Sequence, residues 1–364
     1  MNIYSRIAYA IITTAALLMP SCRPKQNESH TQPVVIEDAF GRKVSLPANP
    51  ERIVGLRPGA LRLLAYMNLC DRVAGVEQVE KNGDDRPYVI AHPELLQLPF
   101  IGARGGNNEL IMSVNPDVIF MTYTSVADAD AMEKLTGIPV VALEYPEMGL
   151  AAGKLFASLK IIGKIMDKEE RADSLTEYIS QSLNDLHNRT SGIDDAKKPT
   201  VYIGGIAHGR ARNITSTHPD YPPFIFTNAK NVADAVDKEE NYSLSGVYID
   251  IEQLMTWNPD IIFIDESGLN LVNNDINDGG ALANHLTAIK TGRIYTLPSY
   301  NSYAVNYETA LINSWFVGKT MYPDAFEDIS IEEKANEILT VFLGKPIYNE
   351  WVTLHSFKSL SYTK

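Results

Sequence analysis

The stretch Glu109-Leu-Ile-Met112-Ser-Val-Asn115-Pro116-Asp117-Val-Ile119-Phe120-Met121 returns later in the chain as Glu252-Gln-Leu-Met255-Thr-Trp-Asn258-Pro259-Asp260-Ile-Ile262-Phe263-Ile264. Seven of the thirteen positions are identical, and most of the others exchange like for like. The offset, 252 − 109 = 143 residues, is the length of a lobe and not of a solenoid repeat. Two similar lobes follow. In each copy the pattern predicts a short helix that stops at Asn-Pro-Asp, because the residue before Pro is pushed out of the α region. The helix feeds Val118–Met121 or Ile261–Ile264, continuous apolar runs typical of strands covered on both faces.

Similar runs stand at Arg52–Leu56, Arg72–Val76, Pro139–Leu143, Thr200–Gly204 and Arg293–Leu297, alternating with helical stretches such as Ala60–Asn68. That alternation implies an α/β chain of two Rossmann-like lobes, each a parallel sheet with crossover helices. Between them, Leu150 to about Asn188 has apolar residues at helical spacing (Leu155, Phe156, Leu159, Ile162, Ile165, then Leu175, Tyr178, Ile179, Leu183) and no strand signal. Glu169-Glu170-Arg171 begins a second helix there or continues the first. A helical connector resists bending, so lobe closure is expected to be limited.

The chain has 364 residues, 45% of them hydrophobic, with 45 Asp and Glu against 32 Lys and Arg. The formal charge of −13 argues against nucleic acid or an anionic membrane as a bulk partner, and any anionic ligand must meet a local basic site. Residues 1–21 carry one cation, Arg6, then an apolar run from Ile7 to Met19, too short to span a bilayer and suited to a signal peptide. Ser21 before Cys22 resembles the lipobox of bacterial lipoproteins, with Met19 where that motif usually has Leu. This implies a lipid anchor at Cys22, a location in the cell envelope, and a flexible tether over residues 22–33. The other cysteine, Cys70, lies in an apolar stretch and reads as a small core residue. The expected division is then 34–149 for the first lobe, 150–190 for the linking helix, 198–345 for the second lobe and 346–364 for a C-terminal tail.

With the duplication in place, the chain resembles the helix-linked, class III periplasmic substrate-binding proteins of bacterial importers for iron siderophores, haem and cobalamin. The carriers of the resemblance are Asp38-Ala-Phe-Gly41-Arg42 with Leu46-Pro47, Pro50-Glu-Arg-Ile-Val54, both Asn-Pro-Asp strand entries, Gly137-Ile-Pro139-Val, Phe156–Gly163 and Asn228-Ala-Lys-Asn231-Val-Ala233. The resemblance implies a monomer that holds no cofactor of its own and delivers a metal chelate to an ABC permease and its ATPase. It also implies that one acidic residue on each lobe, Glu109 and Glu252, docks on a two-fold permease. Placement in the first turn of a helix, where a carboxylate complements the macrodipole, is the simpler reason for both.

Small ligands bind where open α/β sheets present their strand C-termini, so the candidate ligand-binding residues are those in the loops after the strands. They are Arg57, Arg104, Tyr123 and Tyr145 in the first lobe, and His208, Arg210, Glu266, Tyr300, Tyr303, Asn306 and Tyr307 in the second. Arginines fork onto carboxylates, and tyrosines offer flat faces with a polar tip to catecholate, porphyrin or corrin rings. His208 could meet a metal directly, with tyrosines as hard oxygen partners. A ferric siderophore is the expected cargo, ahead of haem and then cobalamin, which offers no carboxylate. No nucleophile elbow, phosphate loop or His-Glu-x-x-His is present, so no enzyme is expected, and no catalytic or dedicated metal site. Two other readings stay open: a chelatase-like enzyme acting on tetrapyrrole or metal, and a ligand sensor on a membrane receptor.

Overall fold

The computed structural model describes residues 33–83, 85–146, 152–207, 210–236, 246–277 and 280–362. The expected signal peptide, the expected lipidation site Cys22, the expected tether up to residue 32, and His208 lie outside them. Residues 33–362 belong to a single compact unit.

Both copies of the repeat form a helix followed by a central strand of a parallel sheet. In the first half β3 (Ile53–Leu56), β4 (Val118–Met121) and β5 (Val140–Ala142) run parallel in the order β3-β4-β5, with Val73 bridged to the free edge of β3. In the second, β8 (Lys230–Asn231), β6 (Thr200–Gly204), β10 (Ile261–Asp265) and β11 (Ile294–Leu297) run parallel in the order β8-β6-β10-β11. The repeated strands β4 and β10 thus hold the same place between their neighbours. Arg72–Val76, expected as a strand, contributes isolated bridges at Val73 and Val76 instead. Two antiparallel pairs complete the strands: β1 (Val34–Glu37) with β2 (Lys43–Leu46), and β7 (Ser216–Thr217) with β9 (Val247–Tyr248).

The pleat assigns the apolar runs to different cores. Val118 and Phe120 on β4, like Ile261 and Phe263 on β10, belong to one large cluster shared by the two halves. Ile119 and Met121 pack into a smaller cluster of the first half, and Ile262 and Ile264 into one of the second. Each sheet is therefore covered on both faces, which is why the strands read as unbroken hydrophobic runs.

The repeated Asn-Pro-Asp works the same way in both halves. Asn115 and Asn258 adopt left-handed backbone, with φ of 46° and 41°. The expected exit from the α region thus goes to the left-handed well, which Asn tolerates better than most residues. Asp117 then accepts the backbone N–H groups of Glu51 and Arg52 at 2.8 Å, just ahead of β3, and Asp260 accepts the N–H and hydroxyl of Thr200 at 2.8 Å, where β6 starts.

Ala152–Met166 and Glu169–Thr190 are separate helices broken at Asp167, whose φ is 54°. The helices Ile331–Leu343 and Tyr348–Leu354 pack back on the first half, against Pro87–Ala91. From there residues 358–360 run beside β11, with the Thr296 N–H donating to the Lys358 carbonyl at 2.9 Å and the Leu360 N–H to that of Ile294 at 2.8 Å. Cys70 is buried, and burial pushes its thiol pKa up to about 12. Among the described residues no helix is long and apolar enough to cross a membrane.

Candidate functional site

Three loops, two of them leaving the C-termini of β3 and β11, are held by one carboxylate. Glu77, 1% exposed, accepts the Arg57 N–H at 3.0 Å, the Tyr303 hydroxyl at 3.0 Å and the Gly105 N–H. Burial raises its pKa, against the pull of those donors. Arg57, Gly105 and Tyr303 all have left-handed backbone, with φ of 72°, 91° and 50°. Non-glycine residues pay for that conformation, and such strain persists only where the surroundings enforce it.

On this scaffold Arg57 sends its guanidinium to the Tyr123 carbonyl at 2.7 Å and to Asp128 at 3.1 Å. Tyr123 is 50% exposed, with its ring 6.1 Å from that of Tyr145. Arg104, exposed at the tip of the glycine loop, lies 6.0 Å from the Tyr303 ring, and Arg86 lies 5.0 Å from the same ring.

Arg210, Glu266 and Tyr303 meet in a cleft of about 500 Å³ that also exposes Asp85, Ser267, Ser299, Asn301 and His355. Below its floor Asp265, at the end of β10, is buried and accepts the Ser267 N–H at 3.0 Å together with the Ser267 and Ser299 hydroxyls. Burial outweighs these bonds and lifts its pKa to about 6. Tyr123 and Tyr145 line a separate hollow of about 180 Å³ with Phe40 and Lys154. A larger hollow of about 690 Å³, lined by residues 48–51, Arg72 and residues 164–167, opens at the other end of β3 and holds none of the candidate residues.

Four residues expected in the ligand shell are buried instead. Tyr145, Tyr300, Asn306 and Tyr307 are 7%, 4%, 2% and 0% exposed. The Tyr145 hydroxyl donates to the Val305 carbonyl at 2.5 Å, and that of Tyr307 to the Pro146 carbonyl. The Asn306 amide donates to the Tyr300 and Ser302 carbonyls at 3.0 and 3.2 Å, and the Tyr300 ring packs 5.7 Å from Tyr221. The loop after β11 folds back into the seam between the halves, where Tyr307 and the Val305 carbonyl reach the first half while Tyr300 and Asn306 pack within the second.

The seam centres on Arg62, which is fully buried. Its guanidinium donates to the Tyr145 hydroxyl and the Val305 carbonyl, both at 2.9 Å, and to the Ser302 and Tyr303 carbonyls at 3.1 and 3.2 Å. Close by, Tyr66 donates to buried Glu308 and accepts the Tyr307 N–H at 3.2 Å. Arg62 is a lone charge in the apolar run Ala60–Tyr66, a signal that reading the run as a plain helical stretch passes over. Glu77 and His355 carry no comparable signal, because distant chain segments supply their partners.

Glu109 and Glu252 are exposed in the first turns of their equivalent helices, and among the described residues neither pairs with a cation.

Residues 53–301 match the family model described as periplasmic binding protein. The chain is 24% identical over 334 residues to the molybdate-binding protein MolA of Haemophilus influenzae, covering 85% of this chain and 90% of that one. It is also 24% identical over 306 residues to the ABC transporter substrate-binding lipoprotein YvrC of Bacillus subtilis, covering 79% and 88%. Among solved structures, a periplasmic solute-binding protein of Veillonella parvula superposes with a TM-score of 0.71 at 22% identity, over 89% of this chain and 96% of that one. Molybdate-bound MolA superposes at 0.65 and 20% identity, over 86% and 98%.

Proposed function

Because the chain belongs to the periplasmic binding protein family, we propose that it is the substrate-binding component of an ABC importer and carries an anionic metal chelate, a ferric siderophore first. The observation that carries this reading is the cleft of about 500 Å³ at the strand C-termini, with Arg210 in its wall. That volume is within the range of sites for drug-sized ligands, roughly 300–1,000 Å³. A bare tetrahedral oxyanion, four water-sized oxygens of about 30 Å³ each, would fill only a fraction of it. The tyrosine at its edge and the arginines beside it suit the flat rings and the negative charge of a catecholate complex. Within this reading Cys22 carries the lipid anchor, and Glu109 and Glu252 face the permease.

A second reading, molybdate, is favoured by the relationship to MolA. Native mass spectrometry of the purified protein with a ferric catecholate, haem, cobalamin and molybdate separates the two. Binding of the ferric complex with micromolar or better affinity is expected; binding of molybdate alone would replace the chelate with the oxyanion.

A further inference from the structure

Both ring nitrogens of His355 face acceptors, and the acceptors come from opposite sides of the cleft. Nδ1 lies 2.9 Å from Glu266 Oε2, which follows β10 in the second half, and Nε2 lies 3.0 Å from the backbone carbonyl of Asp85 in the first. A neutral imidazole has one N–H and satisfies one of these partners; only the imidazolium donates to both. The segment cannot easily turn the ring elsewhere. His355 ends the Tyr348–Leu354 helix, its ring lies 5.6 Å from the buried Trp351, and the residues after it are hydrogen-bonded along β11.

We propose that His355 is a positioning residue of the cargo cleft: as an imidazolium it ties Glu266 to Asp85 across the two halves and adds a positive charge to the wall that an anionic cargo meets. The other charged groups facing it there are Glu266, Asp85, Arg86 and Arg210. Burial works against a charge on His355, but the bond to Glu266 and the Asp85 carbonyl outweigh it and raise its pKa. Deprotonation breaks one of the two bonds and leaves the Glu266 carboxylate without its cation. Anion affinity therefore falls as pH rises through the titration of His355. The charge argument rests on the anionic cargo proposed above, whereas the bridge does not.

The bridge is tested first on the purified ligand-free protein by following the His355 Cε1–H resonance with pH, assigned by its loss in His355→Gln. Titration above the ordinary histidine range, moved down by Glu266→Gln, is expected; titration at or below that range overturns the proposal. Affinity for the ferric complex of catechol, read by tryptophan quenching, is then expected to be about tenfold weaker at pH 8 than at pH 6. In His355→Gln the profile should flatten, and in His355→Arg, cationic throughout, it should stay high. An unchanged profile in His355→Gln overturns the positioning role. If the resonance behaves as expected but the probe fails to bind at any pH, the chelate reading falls and the bridge stands.

Discussion

The guanidinium of Arg62 donates to the carbonyl of Val305 at 2.9 Å, so a helix of the first half is bonded to a hairpin of the second, 243 positions further along. Four acceptors converge on this one buried cation, and three of them are backbone carbonyls. Breaking a buried charge network from one side leaves its partners stranded. Arg62→Met is expected to lower stability by about 3–5 kcal/mol in urea denaturation. A loss below about 1 kcal/mol would mean that the seam is held by packing alone.

Asp117 and Asp260 are expected to respond alike. Each accepts two donors at the entry of the neighbouring strand, so Asp117→Ala and Asp260→Ala should each cost on the order of 1–3 kcal/mol. The sites lie in different halves and share no partner, so the double variant should show the sum. Thermal unfolding of the three variants checks this, and a loss confined to one half would deny the equivalence.

At Gly102, φ is 118° and a Cβ would stand 2.4 Å from the Asn107 nitrogen, a backbone atom. Gly102→Ala must therefore displace the loop that carries Arg104, and cargo affinity should drop by at least about tenfold, with a stability cost of roughly 2 kcal/mol or more. Gly137 is the control: its φ is 70°, but nothing lies within 4 Å of a Cβ there. Gly137→Ala should cost about 1 kcal/mol and leave affinity alone. Equal effects at the two positions would argue against a role for the loop in binding.

Asp265 makes stability depend on pH. Its folded pKa, about 6, is raised by burial above the ordinary unfolded value, so the folded state binds the proton more tightly. The resulting stability is fully present below the unfolded pKa and is lost as pH rises through about 6. Asp265→Asn keeps an oxygen for the two serines and does not ionise. Urea titrations should find the variant close to wild type at pH 4 and ahead of it at pH 7.5 by on the order of 2–3 kcal/mol. Curves that stay parallel across this range would contradict a raised pKa.

Glu109→Lys and Glu252→Lys are expected to cut uptake in cells severalfold each, and more together, while affinity for cargo in the purified protein stays within about twofold. Both carboxylates are exposed, so reversing either charge should cost only about 1 kcal/mol through the helix dipole and leave the fold in place. Loss of cargo binding in either variant would remove the docking role.

Much of the fold was legible because its signals are local. The runs at Ile53–Leu56, Val118–Met121, Val140–Ala142, Thr200–Gly204, Ile261–Asp265 and Ile294–Leu297 are strands, since a strand buried on both faces is apolar at most positions. Short strands such as Lys230–Asn231 escaped, because two residues carry no period. The site was only partly legible. Arg210, Glu266 and Tyr303 do share a cleft, as residues after strand C-termini should. Tyr300, Asn306 and Tyr307 follow a strand just as closely, yet turn inward, because the hairpin around Tyr303 bends the loop onto Arg62.

The sequence by itself determined the duplication, the two parallel sheets and the family, since all three are written in the order and period of neighbouring residues. Only the tertiary structure decided which polar groups face the cleft and which are buried beneath it. Glu77 gathers donors from residues 57, 105 and 303, and His355 reaches Asp85 and Glu266. Such partnerships depend on where the chain returns in space, and residue spacing carries no record of that.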